Sequence, residues 1–499
     1  MRDSLFQVER EQMTSLQAQI REMLVSAMLS GQMPPGAPIP STRTMAKRLK
    51  VSRNTVMLAY QALAADGYLS SRERSGFYVA DDVSRSTPAR NGATGEPGGG
   101  QAAIDWEPKF RISPASQVNI VKPANWHEYP YPFIYGQTDA ALFPIAAWRD
   151  CTRQSMNRKW MDEWTSDRFS EDDPMLIEQI HQRILPRRGI MAERDQILVT
   201  LGAQNALYII ASLLVKPDTP VAIEDPGYPD MRNIFAIKSS DIRTVPIDSG
   251  GMVIDDNLDG CKLVFTTPSH QLPTGVTMSA ERRGQLLDWA ARTDALIIED
   301  DFEFETNYSG DPTPALKARD REGRVLYVGS LSKSLMNGLR MGFIVAPRRL
   351  ISELRALRRL MYRHPPGNNQ RVVALFLALG HHDALIGRLH RNYERRWHVM
   401  GSTLRRLFPG WTRAPGFGGT AYWVEGPPEL DATHLAQRAL EDGIIIEPGH
   451  VFFAHPERHP SRCRNYFRLG FSSIPAERIE PGLERLREIT DEVLAGRTP

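Results

Sequence analysis

The chain has 499 residues, 41% hydrophobic and 24% charged, with a formal net charge of +2, a balance typical of globular proteins with more than one domain. Its three cysteines, Cys151, Cys261 and Cys463, stand far apart without CxxC spacing, which argues against a disulfide framework and a zinc site. The first residues carry no apolar signal-like run, and the longest apolar stretch, 206–215, is roughly half the ~20 residues of a membrane span. A cytoplasmic protein without membrane or metal partners is expected.

Leu16, Ile20, Met23, Leu24, Ala27 and Met28 recur at three- and four-residue spacing, which predicts an amphipathic helix over 14–30, ended by GQMPPG. Ser41 is an N-cap for a second helix, 42–50, with Met45, Ala46 and Leu49 inward. Ser52 caps a third, 53–65, with Val56, Tyr60 and Leu63 on its buried stripe. Two short helices across a tight turn make a helix-turn-helix, whose second helix enters the major groove of double-stranded DNA. The stretch GYLSSRERSGFYVA then predicts two strands around a turn bearing Arg72, Glu73 and Arg74, a wing.

Between positions 41 and 80 seven basic residues stand against two acidic ones, a distribution suited to a phosphate backbone or to a solvated surface. Arg53, Asn54 and Thr55, opening the third helix, are residue types that contact bases and phosphates. A small helical interaction module is the other use of the same elements. Residues 81–103 include SRSTPARNGATGEPGGG, which has almost no large apolar side chain and predicts a flexible linker. The linker separates a first domain, 1–80, from a large body, 104–499.

In that body short apolar runs at 196–200, 221–224, 262–266, 295–299, 325–329 and 342–346 alternate with amphipathic helical stretches. Continuous apolar runs suit strands buried on both faces, so an α/β body with a mostly parallel sheet between helices is expected. The run ending at 329 leads into VGSLSKSLMNGLRMG. Lys333 there can condense with an aldehyde cofactor, Ser330 can hydrogen-bond a phosphate, and Arg340 can bind it as a fork. A lone lysine near a strand end is far more often a solvated charge, so its companions matter. LIIEDDFEFE sets Asp300 at a strand end, where a carboxylate can pair with a protonated pyridine nitrogen; adjacent Asp301 is the alternative. TLGAQNALYIIASLL runs from strand through turn to helix, and Gly202, Ala203 and Gln204 at that helix start form a phosphate cradle.

The stretch SGQMPPGAPIPSTRTMAKRLKVSRNTVMLAYQALAADGYLSSRERSGFYV resembles the winged-helix domain of the GntR family. The body, with EDPGYPDMR and TPSHQLPTG beside the motifs above, resembles fold-type I aminotransferases. In this order the two resemble the MocR subgroup of GntR regulators, over nearly the whole chain apart from the linker. The resemblance implies pyridoxal 5′-phosphate as cofactor, Lys333 as the lysine that carries it, and Asp300 as the partner of its ring nitrogen. Tyr228 would lie against the ring or serve as core packing. His270 and Gln271 would sit near the O3′ edge, with a structural role for His270 equally open.

By the same resemblance Ser330 and Arg340 hold phosphate, and Arg43, Arg53, Thr55 and Gly76 contact DNA, with Asn54, Arg72 and Arg74 as further basic or polar contacts. Arg468, in NYFRLGF, would grip a ligand carboxylate, or pair with an internal acid. The function implied is a regulator whose DNA binding responds to an amino compound exchanging with Lys333 on the cofactor, an external aldimine. Amino acids and GABA-like, taurine-like or ectoine-derived compounds are the classes considered. The resemblance further implies a homodimer, and the long linker permits a crossover of winged helices between subunits. A working aminotransferase with a DNA-binding domain and a cofactor-free scaffold are the other readings. Two departures stand out: Phe302 replaces the family's tyrosine, losing a hydroxyl at the cofactor O3′, and SEDDPMLIEQIHQRI replaces a Gly-Tyr-Gly-containing segment, which bears on pocket shape.

Overall fold

The structure is a computed structural model that describes residues 14–72, 76–86, 104–309, 313–412, 416–457 and 460–496. Two compact units divide the chain between Lys109 and Phe110.

In the first unit α1 (Leu16–Leu29), α2 (Thr42–Leu49) and α3 (Arg53–Ala65) precede β1 (Leu69–Arg72) and β2 (Gly76–Val79). Each helix starts on a serine whose hydroxyl accepts a backbone N–H of the first turn, Ser15 from Ala18, Ser41 from Thr44 and Ser52 from Thr55. Lys50, in the left-handed region at φ 53°, ends α2 and makes the turn between the two helices tight. Ile20, Leu24, Met45, Val56, Tyr60 and Leu63 are fully buried together, the faces that the spacing predicts. The Tyr60 hydroxyl donates to Pro40 O at 2.9 Å, so a polar tip is satisfied within that core. The strands pair antiparallel, Leu69 opposite Val79 and Arg72 opposite Gly76. The residues that follow, Asp81–Ser86, form a 3-10 turn whose Val83 packs on the same core. The rest of the expected linker, 87–103, lies outside the described residues.

The second unit is built on an eight-stranded sheet. Its strands are β4 (Ile197–Thr200), β5 (Val221–Asp225), β6 (Ile242–Asp248), β7 (Gly251–Met252), β8 (Leu263–Thr266), β9 (Leu296–Asp301), β10 (Val325–Ser330) and β11 (Gly342–Val345), in the order β4-β11-β10-β9-β8-β5-β6-β7. Strands β10, β9, β8, β5 and β6 run parallel, while β11 is antiparallel to both its neighbours. All six apolar runs singled out above are strands of this sheet.

Alternation splits each strand between two cores. Leu198, Ile298, Leu326, Val328 and Ile344 pack against Ala206, Ile209 and Ile210 of the helix Ala203–Leu214. Ile197, Val199, Tyr327, Phe343 and Val345 face the other way, against Val373 and Phe376 of the helix Gly367–Ala378. Beside this sheet, β12 (Ala421–Glu425), β15 (Tyr466–Gly470) and β14 (Glu447–Pro448) form an antiparallel set, and β3 (Tyr131–Pro132) pairs parallel with β13 (Ile444–Ile445). Their shared core also takes Met400 and Leu404 of the helix His381–Leu407.

The segment that departs from the family pattern serves the scaffold. Asp172 pairs with Arg358 at 2.6 Å, both side chains fully buried, with Arg355 at 2.8 Å, and accepts Val199 N. Asp173 caps the helix Pro174–Gln179 and pairs with Arg371 at 2.7 Å. These acids tie the segment to the edge strand and to two helices. Among the described residues no single helix is long and apolar enough to cross a membrane, and no metal-ligand cluster occurs.

Removing one partner of a buried ion pair strands the other's charge. Asp172→Ala is therefore expected to destabilise the large unit by about 3–5 kcal/mol, read as a fall in its urea unfolding midpoint.

Candidate cofactor and ligand site

The parallel strands end together, and the side chains beyond their carboxyl ends form the site, as in other open α/β sheets. Thr200, Gly342 and Ser330 stand in register at this end. Gly202, at φ +82°, is the N-cap of the helix Ala203–Leu214, with no capping side chain over its first N–H groups. A Cβ on Gly202 would meet the Arg340 guanidinium at 2.8 Å, and one on Gly342 would meet Gly202 itself at 2.7 Å, so both positions demand glycine. Arg340 donates to Leu201 O at 3.2 Å beside that helix end. The buried Ser330 hydroxyl accepts Ser332 N at 3.3 Å. Ala203 is half-buried at this helix start and Gln204 is exposed. Helix dipole, glycine cradle, hydroxyl and guanidinium together suit a phosphate.

The two aspartates at the end of β9 separate cleanly. Asp301 accepts Arg188 Nε at 2.6 Å and the Tyr327 hydroxyl at 2.8 Å, and Arg188 also donates to Ser269 and to Thr313 O. Burial raises the Asp301 pKa, but Arg188 and these hydrogen bonds win and hold it below the usual carboxylate range. Asp300 lies on the opposite face with Ile298, is 3% exposed, and its Oδ1 has no hydrogen-bond partner. Burial, reinforced by the Asp301 charge, pushes its pKa up to about 8. An open, buried carboxyl group suits a protonated ring nitrogen.

Lys333 Nζ donates to Gly136 O at 3.1 Å and sits 4.7 Å from the centre of the Tyr135 ring. Asn337 donates to the same carbonyl. Burial lowers the lysine pKa to about 8, against the opposing pull of Glu303, which raises the neutral, nucleophilic fraction of the amine to about a tenth near neutral pH. Lys333, Gly136, Phe302, Glu303, Glu305 and Tyr393 line a cavity of about 490 Å³. Glu303 accepts the Thr420 hydroxyl at 2.6 Å, and burial raises its pKa.

Arg468, on β15 between Trp423 of β12 and Glu447 of β14, is 1% exposed. Its guanidinium carbon lies 3.5 Å from the Tyr135 ring centre, and none of its three nitrogens makes a hydrogen bond. Glu447 Oε2 stands 3.8 Å from Arg468 Nε, a loose ion pair that leaves the fork open. Burial raises the Glu447 pKa, against the lowering pull of Arg468.

Tyr228, whose hydroxyl donates to Asp230 at 2.9 Å, begins the helix Pro229–Lys238 on the Asp300 side of the sheet. Gln271 departs from expectation. Its amide donates to Glu224, Pro226 O and Leu272 O and accepts from Thr274, which consumes it in bracing the turn and leaves it no group for a cofactor. His270 lines a different cavity, of about 270 Å³, with Arg188, Phe304 and Phe417. Burial lowers the His270 pKa to about 4, so it is a neutral ring there. Tyr135, Gly136, Glu303 and Glu447 escaped the sequence reading; the aromatic-glycine pair closing the apolar run PFIYG was the one available signal.

In the first unit Arg43, Arg53, Asn54, Arg72 and Gly76 are exposed. Arg53 reaches Thr42 at 3.4 Å, the Thr55 hydroxyl bonds Ser52, and Arg72 lies 4.4 Å from the Tyr78 ring centre. Arg74 lies outside the described residues.

A lysine, an open buried carboxyl and a glycine cradle at the carboxyl ends of such a sheet define a fold-type I aminotransferase domain, here joined to a winged helix. Residues 170–486 match the family model described as aminotransferase class I and II, and residues 16–79 match that of bacterial regulatory proteins of the gntR family. The HTH-type transcriptional regulator TauR of Rhodobacter capsulatus is 42% identical over 476 residues, covering 95% of this chain and 96% of that protein. The probable rhizopine catabolism regulatory protein MocR of Rhizobium meliloti is 28% identical, covering 96% and 94%. Among solved structures, the α-aminoadipate aminotransferase LysN of Thermus thermophilus superposes with a TM-score of 0.70 at 26% identity, covering 79% of this chain and 100% of that one. The chain belongs to the MocR subgroup of GntR-family regulators and is a pyridoxal-phosphate-dependent, DNA-binding transcriptional regulator.

Asp300 carries a pH signature. Its unfolded pKa is 3.8 and its folded one about 8, so between these values the unfolded chain releases the proton first and stability falls as pH rises. Asp300→Asn removes this contribution. Thermal melts without cofactor are expected to show the variant gaining on the wild type as pH climbs from 5 to 8, while its cofactor affinity drops.

Proposed function

We propose that the protein senses a small primary amine bearing a carboxylate or sulfonate and alters its operator binding in response. The Arg468 fork carries this reading, since a buried guanidinium held only by a loose ion pair, with no hydrogen bond on its three nitrogens, can take an anion. When bound, the cofactor supplies an electron-withdrawing aldehyde carbon that primary amines attack. Toward it, Asp300 would hold the ring nitrogen, Gly202, Ala203, Ser330 and Arg340 the phosphate, and Lys333 the attachment point. Tyr228 would flank the ring. Gly136 O would receive the Lys333 amine when a ligand takes its place. Amino acids and taurine-like amino sulfonates fit both ends of this site.

Arg43, Arg53, Asn54, Thr55, Arg72 and Gly76 would meet the operator. A homodimer in the cytoplasm is the proposed assembly. Regulation requires that the amine bind two arrangements of the protein with different affinity. The intact Lys333 and Asp300 also favour a second reading, residual transamination, which product formation with a keto-acid acceptor would reveal.

The test is the visible spectrum of the cofactor-loaded chain with operator binding, each with and without candidate amines. Lys333→Ala is expected to abolish both the bound-cofactor band and the amine response. Arg468→Gln is expected to keep the band and lose on the order of a hundredfold in amine affinity. A Lys333→Ala protein with unchanged band and response would overturn the proposal. Arg53→Ala is expected to weaken operator binding and reduce the slope of log affinity against log salt by about 1.

A further inference from the structure

Phe110 opens the second unit, and the chain soon crosses the helix that Tyr228 begins. Gln117 Nε2 donates to Asn233 O at 3.0 Å, and the buried Asn233 amide donates to Val118 O at 3.0 Å and to Asn119 Oδ1 at 2.7 Å. Arg232, one turn beyond Tyr228, makes a three-way junction. Its backbone N–H donates to Tyr228 O at 3.2 Å and its Nη2 donates to Val118 O at 3.0 Å. Its Nη1 donates to Val451 O at 3.1 Å and to Phe453 O at 2.6 Å. One guanidinium thereby joins the segment 117–122, the Tyr228 helix and the end of the turn Gly449–Phe452.

The same three pieces share an apolar contact. Ile120 packs on Leu272, Val451 and Phe452, the small core against which Tyr135, Tyr228 and Phe302 also pack. The Phe452 ring centre lies 5.3 Å from the Arg468 guanidinium carbon. Lys122 follows half-buried, and burial lowers its pKa against the raising pull of Glu447, the acid beside Arg468. Val118 and Val121, by contrast, are 45% and 85% exposed. The segment grips through one inward apolar side chain and hydrogen bonds to a single helix, contacts of the kind that open well below the free energy of global unfolding.

Its inner side thus rests on the wall of the ligand site, and its upstream end is the stretch that leads from the winged helix. A ligand held at Arg468 and Lys333 changes what Tyr135, Tyr228 and Phe452 pack against, and with it the stability of Ile120 and Arg232 upon them. We propose that residues 117–122 form a strap whose docking passes the occupancy of the ligand site to the DNA-binding unit, with Arg232 as the positioning residue that clasps it. The strap rests on the amine response proposed for Arg468 and Lys333. Ligand favours docking and, by linkage, docking favours ligand. A released strap lengthens the tether of the winged helix and so alters its effective concentration at the operator.

The experiment uses the cofactor-loaded full chain with its operator and a panel of L-amino acids, β-alanine, 4-aminobutyrate and taurine. The visible spectrum reads the ligand site, operator binding reads the output, and amide hydrogen exchange reads the strap. In the wild type, an amine that shifts the spectrum is expected to change operator binding and to slow exchange over 117–122 by about fivefold or more. Ile120→Ser and Arg232→Gln are each expected to keep the cofactor band and to abolish that slowing. Ile120 is half-buried, so its variant tests the strap without touching the Arg232 junction. At amine concentrations that saturate their spectra, both variants are expected to bind operator within about twofold of their amine-free value. Variants that regain the full operator response at saturation have lost ligand affinity alone, and that result overturns the strap. So does a wild type whose spectrum and operator binding respond while exchange over 117–122 stays the same; in both cases the proposed sensing stands. A wild type in which no member of the panel changes both spectrum and operator binding overturns the sensing and the strap together.

Discussion

Two carboxylates side by side on one buried strand repel each other and are both disfavoured by the interior, and the cofactor site depends on how β9 keeps them. The pleat turns Asp300 and Asp301 to opposite faces of the sheet, so each meets different neighbours. Arg188 and Tyr327 both engage Oδ2 of Asp301 and hold it ionised. Asp300 is left with an open oxygen among apolar side chains, and the nearby negative charge drives its proton affinity upward. One aspartate anchors the sheet, which allows the other to stay unpaired where a ring nitrogen can reach it.

The same economy of pairing recurs around the ligand position. Glu447 divides its carboxylate between Tyr135 N and a loose contact with Arg468, so the guanidinium is steadied without being filled. Lys333 rests on a carbonyl and an aromatic ring. Groups that are held but incompletely satisfied keep capacity for a further partner.

Much of this was legible along the chain. Ser41 and Ser52 announce their helices because a cap is a local event, satisfied within three residues. The apolar runs announce strands because burial on both faces leaves a continuous signature. Lys333, Asp300 and Gly202 could be read together since each follows directly from the end of such a run. Gln271 shows the limit. Its place in TPSHQLPTG suggests a cofactor contact, but its amide is consumed by Glu224 and by backbone carbonyls of the turn. His270, one position earlier, opens onto another cavity.

The local pattern therefore determined the helix caps, the strand ends, and which residue types stand at those ends, since caps, periodicity and turn chemistry act between near neighbours. Tertiary structure alone decided that Asp301 meets Arg188 and Tyr327 while Asp300 does not, that Arg468 has an acid beside it yet keeps a free edge, and that Tyr135 lies against both Arg468 and Lys333. Those outcomes depend on pairings such as that of Lys333 with Gly136, 197 positions apart, whose geometry is set by packing and the register of distant strands.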